Sequence, residues 1–254
     1  LPTSVQPMYS FVREPKWIAG HILTLLLLTA FMGAGIWQFG RHQARSERND
    51  AVLDRSKDEV LTENDLFGAN IDIEFRLVQL KGFWSTEDAV LIRNRSQKEA
   101  AGCHLAIPLV GDVSRATLVT VGWLPQSSCD GYKFEAPPEP VSLTGRVRLS
   151  QERGAIGSRD ASTGVLTSLA RTDVGRIDQQ VPYPLASVYV ELITSEPEVV
   201  DALPLEPPPT DVGPHLGYAV QWFLFFAVGI VGYPLVLRRH AHKGEAENLG
   251  PVEG

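Results

Sequence analysis

Charge is missing from two long stretches of this 254-residue chain. Ile18 to Trp37 is twenty residues without Asp, Glu, Lys or Arg, and only His21 titrates readily. Gly217 to Leu237 is twenty-one residues without any charge. About 20 apolar residues cross the hydrocarbon core of a bilayer, so both stretches read as membrane-spanning helices. No small-x-small cleavage pattern follows the first; "IWQFGRHQAR" does instead, which favours an uncleaved anchor over a signal peptide. Basic residues are scarce between the spans. Arg41 to His215 holds 18 Lys plus Arg against 26 Asp plus Glu. Neutralising phosphates takes a basic surface, so nucleic acid is not expected as a partner. Catalytic signatures are missing too: there is no Gly-rich phosphate loop, no GxSxG and no HExxH. The acidic residues are scattered, and the chain does not read as an enzyme.

Cysteine is almost absent. Cys103 and Cys129 both fall between the spans. An exported segment permits a disulfide between them. The alternative is a metal site of Cys103, His104 and Cys129, suited to a soft metal such as copper.

The charges around the spans suggest an orientation. "RRHAHK" after the second span has cytoplasmic character, and the segment before it carries Glu196, Glu198, Asp201, Glu206 and Asp211 without Lys or Arg. Arg41, Arg45 and Arg48 after the first span argue the other way, but long loops translocate largely regardless of charge. The expected layout is a cytoplasmic N-terminus (1–16), a first span (17–38), an extracytoplasmic β-rich domain (39–203), a Pro-rich tether (204–214), a second span (215–237) and a cytoplasmic tail (238–254).

Within the domain, "RHQARSERNDAVLDRSKDEVL" reads as a polar helix running on from the membrane. In "IDIEFRLVQLKGFW" the apolar alternation at Ile71, Ile73, Phe75 and Leu77 slips to Val78 and Leu80, which suggests a bulge. "AVLIRNR", "CHLAIPLV", "RATLVTVGWL", "VSLTGRVRL" and "ASVYVELIT" are further strands, and Val188, Val190 and Leu192 make one apolar face. The fold class expected is a membrane protein of α+β type: two transmembrane helices flanking a mostly antiparallel, barrel-like β domain.

Polar groups inside the spans are few. Gln38 follows Trp37, and Gln221 precedes Trp222. Tryptophan is ordinary at a membrane interface, but an amide in an apolar span needs a partner, so the two glutamines are expected to pair across the helices. His215, Tyr218, Trp222 and Phe225 recur at spacings of 3, 4 and 3, along one helical face. That stripe is either helix packing headed by an interfacial His or a histidine that ligates haem iron beside aromatic walls. His21 cannot share that iron, since 17 residues of helix set it roughly 25 Å deeper than Gln38.

Four stretches carry a family resemblance: "GIWQFGRHQARSERN"; the run with Gly82, Phe83, Arg95, Gly102 and Pro108; "ATLVTVGWLPQ" with Gly122, Trp123 and Pro125; and "PHLGYAVQWFLFF" with His215, Leu216, Tyr218, Ala219 and Trp222. In this order the chain resembles the Surfeit locus protein 1 family, in an actinobacterial-type form. The resemblance implies a two-span protein of the bacterial plasma membrane that assists assembly of haem–copper cytochrome c oxidase. The implied partners are the core oxidase subunit, other assembly factors and the lipid bilayer. The implied cofactor is haem a, with His215 as iron ligand and Tyr218, Trp222, Trp37 and Gln38 around it. A cofactor-free scaffold for oxidase subunits, or a copper carrier, is the alternative. The cysteine pair and "LTSLARTDVGRIDQQ" depart from the family pattern.

Overall fold

The computed structural model describes residues 9–68, 71–154, 157–199 and 202–248. The chain divides into two compact units, one from Leu1–Asn49 with Asp211–Gly254 and one from Asp50–Thr210.

The first unit is helical. Helix α1, Pro15–Arg55, opens on a proline, whose missing N–H costs nothing at a first helical position. The 41-residue helix continues from the apolar run into the polar stretch without a break, as the sequence suggested. The last helix, His215–Asn248, likewise runs through its apolar segment into the basic tail and tolerates Pro234 inside it. Both are long and apolar enough to cross a membrane. A core helix would bury its leucines; here Leu25, Leu26, Val228 and Val231 are all exposed. The two helices touch where one offers no side chain. A Cβ on Gly35 would lie 2.5 Å from the Phe223 ring, and one on Gly229 would lie 2.7 Å from Leu28. Small residues at such contacts let helices approach closely in an apolar medium.

The second unit is a seven-stranded mixed sheet. The short helix α2, Glu63–Phe67, seats Leu66 in the core. Strands β1 (Leu77–Trp84), β2 (Val90–Gln97), β3 (Ala100–Val110), β4 (Ala116–Pro125), β5 (Val141–Leu149) and the two-residue β6 (Ser168–Leu169) follow. Helix α3 (Val174–Asp178), strand β7 (Leu185–Glu196) and the long apolar helix, α4, complete the order. The sheet order is β1-β5-β7-β4-β3-β2-β6, and β1 also pairs with the far end of β3, Phe83 opposite Val110. The run from β1 to β3 thus returns on itself. The crossing needs Gly82, where a Cβ would meet the Val110 carbonyl oxygen at 2.2 Å.

The sheet is mostly antiparallel, as expected, but mixed, because β4–β7 and β2–β6 run parallel. The slip near Leu77 is not a bulge: Ile71–Ile73 is a 3-10 turn, Phe75 has φ of +70°, and β1 begins only at Leu77. Helices α2 and α3 and strand β6 went unread, being too short to show a period.

Burial follows the pleat. In β3, Leu105, Ile107 and Leu109 enter the larger core with Val119, Val121, Val188 and Val190. The opposite face carries a second cluster, in which Ala106, Leu118 and Tyr189 meet Leu169, Val174 and Ile177 from β6 and α3. Covered on both sides, β4 is buried through nine of its ten residues. That explains its nearly continuous apolar reading in "ATLVTVGWL", with only Thr117 and Thr120 as buried polar residues.

Candidate functional site

Helix α4 begins at His215 because the chain turns there. Gly213 takes φ of +65°, Pro214 follows, and the Tyr218 N–H donates to the Pro214 carbonyl at 3.2 Å. This fixes the imidazole on the first turn of α4, facing Gln38 of α1. His215 Nδ1 and Gln38 Oε1 lie 2.9 Å apart. An amide oxygen only accepts, so Nδ1 is the donor in this contact and Nε2 is the nitrogen turned away from Gln38. Gln38 thereby does for His215 what a carbonyl does behind many metal-bound histidines: it sets ring orientation and tautomer. The expected Gln38–Gln221 pair is not formed, and Gln221 is exposed. Both polar residues are legible in the sequence, but which of them meet is set by the register between the helices, and neither helix carries that alone.

Of the aromatic residues, Trp222 stacks on Phe31 at 5.7 Å between centroids, and Phe225 packs edge-on to Trp222 at 5.8 Å. Phe31 was not anticipated; it sits seven residues before Gln38, two turns along the same face of α1. Tyr218 and Trp37 join neither contact and are 49% and 61% exposed. Outside this group, Arg45 and Asp211 form a long ion pair at 4.0 Å. Toward the other end of the pair, the His21 Nδ1 is hydrogen-bonded to the Tyr233 hydroxyl, and the His240 ring packs against Phe11 and Trp17.

The copper set comes apart in the β unit. Cys103 and Cys129 are joined in a disulfide, which occupies both sulfurs. His104 is the next residue of β3, so its ring leaves the opposite face of the sheet. Burial first, and the charge of Arg95 second, push its pKa down to about 4. Among the described residues, no three or more His, Cys, Asp or Glu side chains are grouped to hold a metal ion.

Three motif residues of this unit, Arg95, Gly102 and Trp123, meet at one place. The Trp123 indole donates to the Arg95 carbonyl at 2.9 Å, across a register shift in the β2–β3 pairing. Gly102 lies under the same indole, where a Cβ would be 2.6 Å from the ring and 2.1 Å from the Leu124 oxygen.

A mixed β domain flanked in sequence by two membrane-length helices, with an imidazole–amide pair between those helices, is the class of protein that the fold and site define. The particular family is shown by its sequence profile, which matches residues 25–227: the chain belongs to the SURF1 family, a family of assembly factors for cytochrome oxidase rather than of enzymes. It is similar to uncharacterised SURF1-like proteins of Mycobacterium bovis and of two strains of Mycobacterium tuberculosis. Each is 25% identical over 235 residues, which cover 89% of this chain and 85% of the relative. Among solved structures, an Entamoeba histolytica asparaginyl-tRNA synthetase in complex with asparaginyl-adenylate overlaps 62% of this chain and 28% of its own. The identity is 12% and the TM-score 0.25, too slight a likeness to bear on fold or function.

Proposed function

We propose that this protein holds haem a for delivery to the core subunit of cytochrome c oxidase, with His215 as iron ligand and Gln38 as the residue that positions it. The carrying observation is the 2.9 Å contact between His215 Nδ1 and Gln38 Oε1, which leaves Nε2 free to bind iron. The donor set suits a haem: an imidazole oriented from behind, with the aromatic residues Tyr218 and Trp222 on the turns below. When bound, the haem supplies the redox-active iron of the oxidase; this chain supplies a ligand, a wall and a place to wait. Both α1 and α4 are read as crossing the bacterial plasma membrane, with termini in the cytoplasm and the β unit outside, where its disulfide is stable. The β1–β3 pairing supports reading the β unit as a small closed barrel.

The test is the pyridine haemochrome spectrum of the full chain, purified in detergent from cells that make haem a. Wild type is expected to carry haem, His215→Ala to lose it, and Gln38→Ala to retain a reduced fraction. A normal spectrum in His215→Ala would falsify the ligand assignment. Exposed Trp37 and Tyr218 also suit a scaffold that docks on oxidase helices without a cofactor. That reading expects co-purified oxidase subunits and no haem from the wild type.

A further inference from the structure

The β unit is acidic in total, yet one of its clefts is not. Beside α3, a cleft of about 270 Å³ is lined by Arg153, Arg159, Arg171 and Arg176 against only Asp160 and Asp173. Both aspartates are already engaged. Asp160 takes Arg93 at 2.6 Å and the Ala170 N–H, and Asp173 caps α3 through the Arg176 N–H at 3.0 Å. Among the described residues, none of the four lining arginines forms an ion pair.

The four do not share one job. Arg176 is 9% exposed and its guanidinium is used up on the Ala161 and Gly164 carbonyls and the Gln180 amide. It staples the loop. Arg171 commits Nη1 to the Ser158 carbonyl, and Arg153 commits Nε to the Gly157 carbonyl, so among the described residues each keeps two nitrogens for another acceptor. Arg159 donates to no protein group among the described residues. Behind them, Arg95 is held below its ordinary pKa by burial first and also by the charge of Arg171. Like charges gathered with spare donors, beside two aspartates already engaged elsewhere, are costly unless an anion relieves them.

We propose that this cleft binds a phosphate group, free in solution or as a phospholipid headgroup. Guanidinium forks match phosphate oxygens, and three of them offer more donors than a two-oxygen carboxylate can accept. The cleft is near the lower bound for ligand pockets, about 300 Å³, which suits a compact anion. The inference is independent of the haem reading.

The experiment titrates inorganic phosphate into the detergent-purified full chain by calorimetry, with ionic strength held constant by chloride. A parallel arm measures retained phosphatidylglycerol against phosphatidylcholine by native mass spectrometry. Saturable phosphate binding, weakened about tenfold in each of Arg159→Gln and Arg153→Gln and unchanged in Lys81→Gln, supports a free phosphate compound. Retained phosphatidylglycerol that these arginine variants lose, without uptake of inorganic phosphate, supports a headgroup. Neither signal, or equal loss in Lys81→Gln, overturns the proposal and leaves the arginines as loop staples. Among the described residues Arg159 forms no hydrogen bond or ion pair, so its variant is expected to fold.

Discussion

His104 is a half-buried ring whose titration is expected to make the β unit sensitive to acid. In the folded chain its pKa lies near 4, against an ordinary value of 6.5, because burial disfavours the imidazolium and Arg95 repels it. The unfolded chain therefore takes up a proton more readily than the folded one between those two values. His104 contributes stability that is full above about pH 6.5 and is lost as pH falls toward 4. The shift corresponds to about 3 kcal/mol at most. Denaturant unfolding of the full chain across this window should show the loss, and His104→Leu should flatten the curve. An unchanged slope in that variant would place the acid sensitivity elsewhere. In the sequence the same ring reads as a soft-metal ligand beside Cys103. Strand alternation decides against that, since neighbours in a strand face opposite ways.

At the level of elements, the helix pair tests a packing argument. Gly35 lies against the Phe223 ring, whereas Gly33, two residues earlier on α1, has nothing within 4 Å of where its Cβ would be. Gly35→Leu is expected to separate α1 from α4, lowering the thermal midpoint of the detergent-solubilised protein. Gly33→Leu should leave that midpoint within error or raise it slightly, since glycine is the weaker helix former. Equal effects would mean the contact adds nothing. The β unit has its own element-scale logic. Arg95, Gly102 and Trp123 come from three successive strands and meet at one register shift, so their spacing in sequence reflects a junction of strands rather than a ligand site.

For the molecule as a whole, the disulfide acts mainly on the chain that is not folded. It links residues 26 apart, from β3 to the turn after β4. Closing a loop of that length removes conformational freedom from the unfolded ensemble worth about 3 kcal/mol. The paired variant Cys103→Ser with Cys129→Ser should unfold at a lower denaturant concentration by about that amount. Haem content, if His215 is the ligand, should stay as in wild type. Loss of haem from that variant would tie the cofactor to the β unit instead of to the helices.

Composition and periodicity were enough to determine the two terminal apolar helices, the β character of the middle and most of its strands. These are local properties, set by runs of uncharged residues and by alternation over a few positions. The four ordered motifs were enough to identify the family. What only the tertiary structure decided is who meets whom: Gln38 with His215 rather than with Gln221, Phe31 under Trp222, β4 parallel to β7, and four arginines from a loop and a short helix around one cleft. Each of these is a contact between segments distant along the chain. Its register is set by packing of both partners, and neither sequence carries it alone.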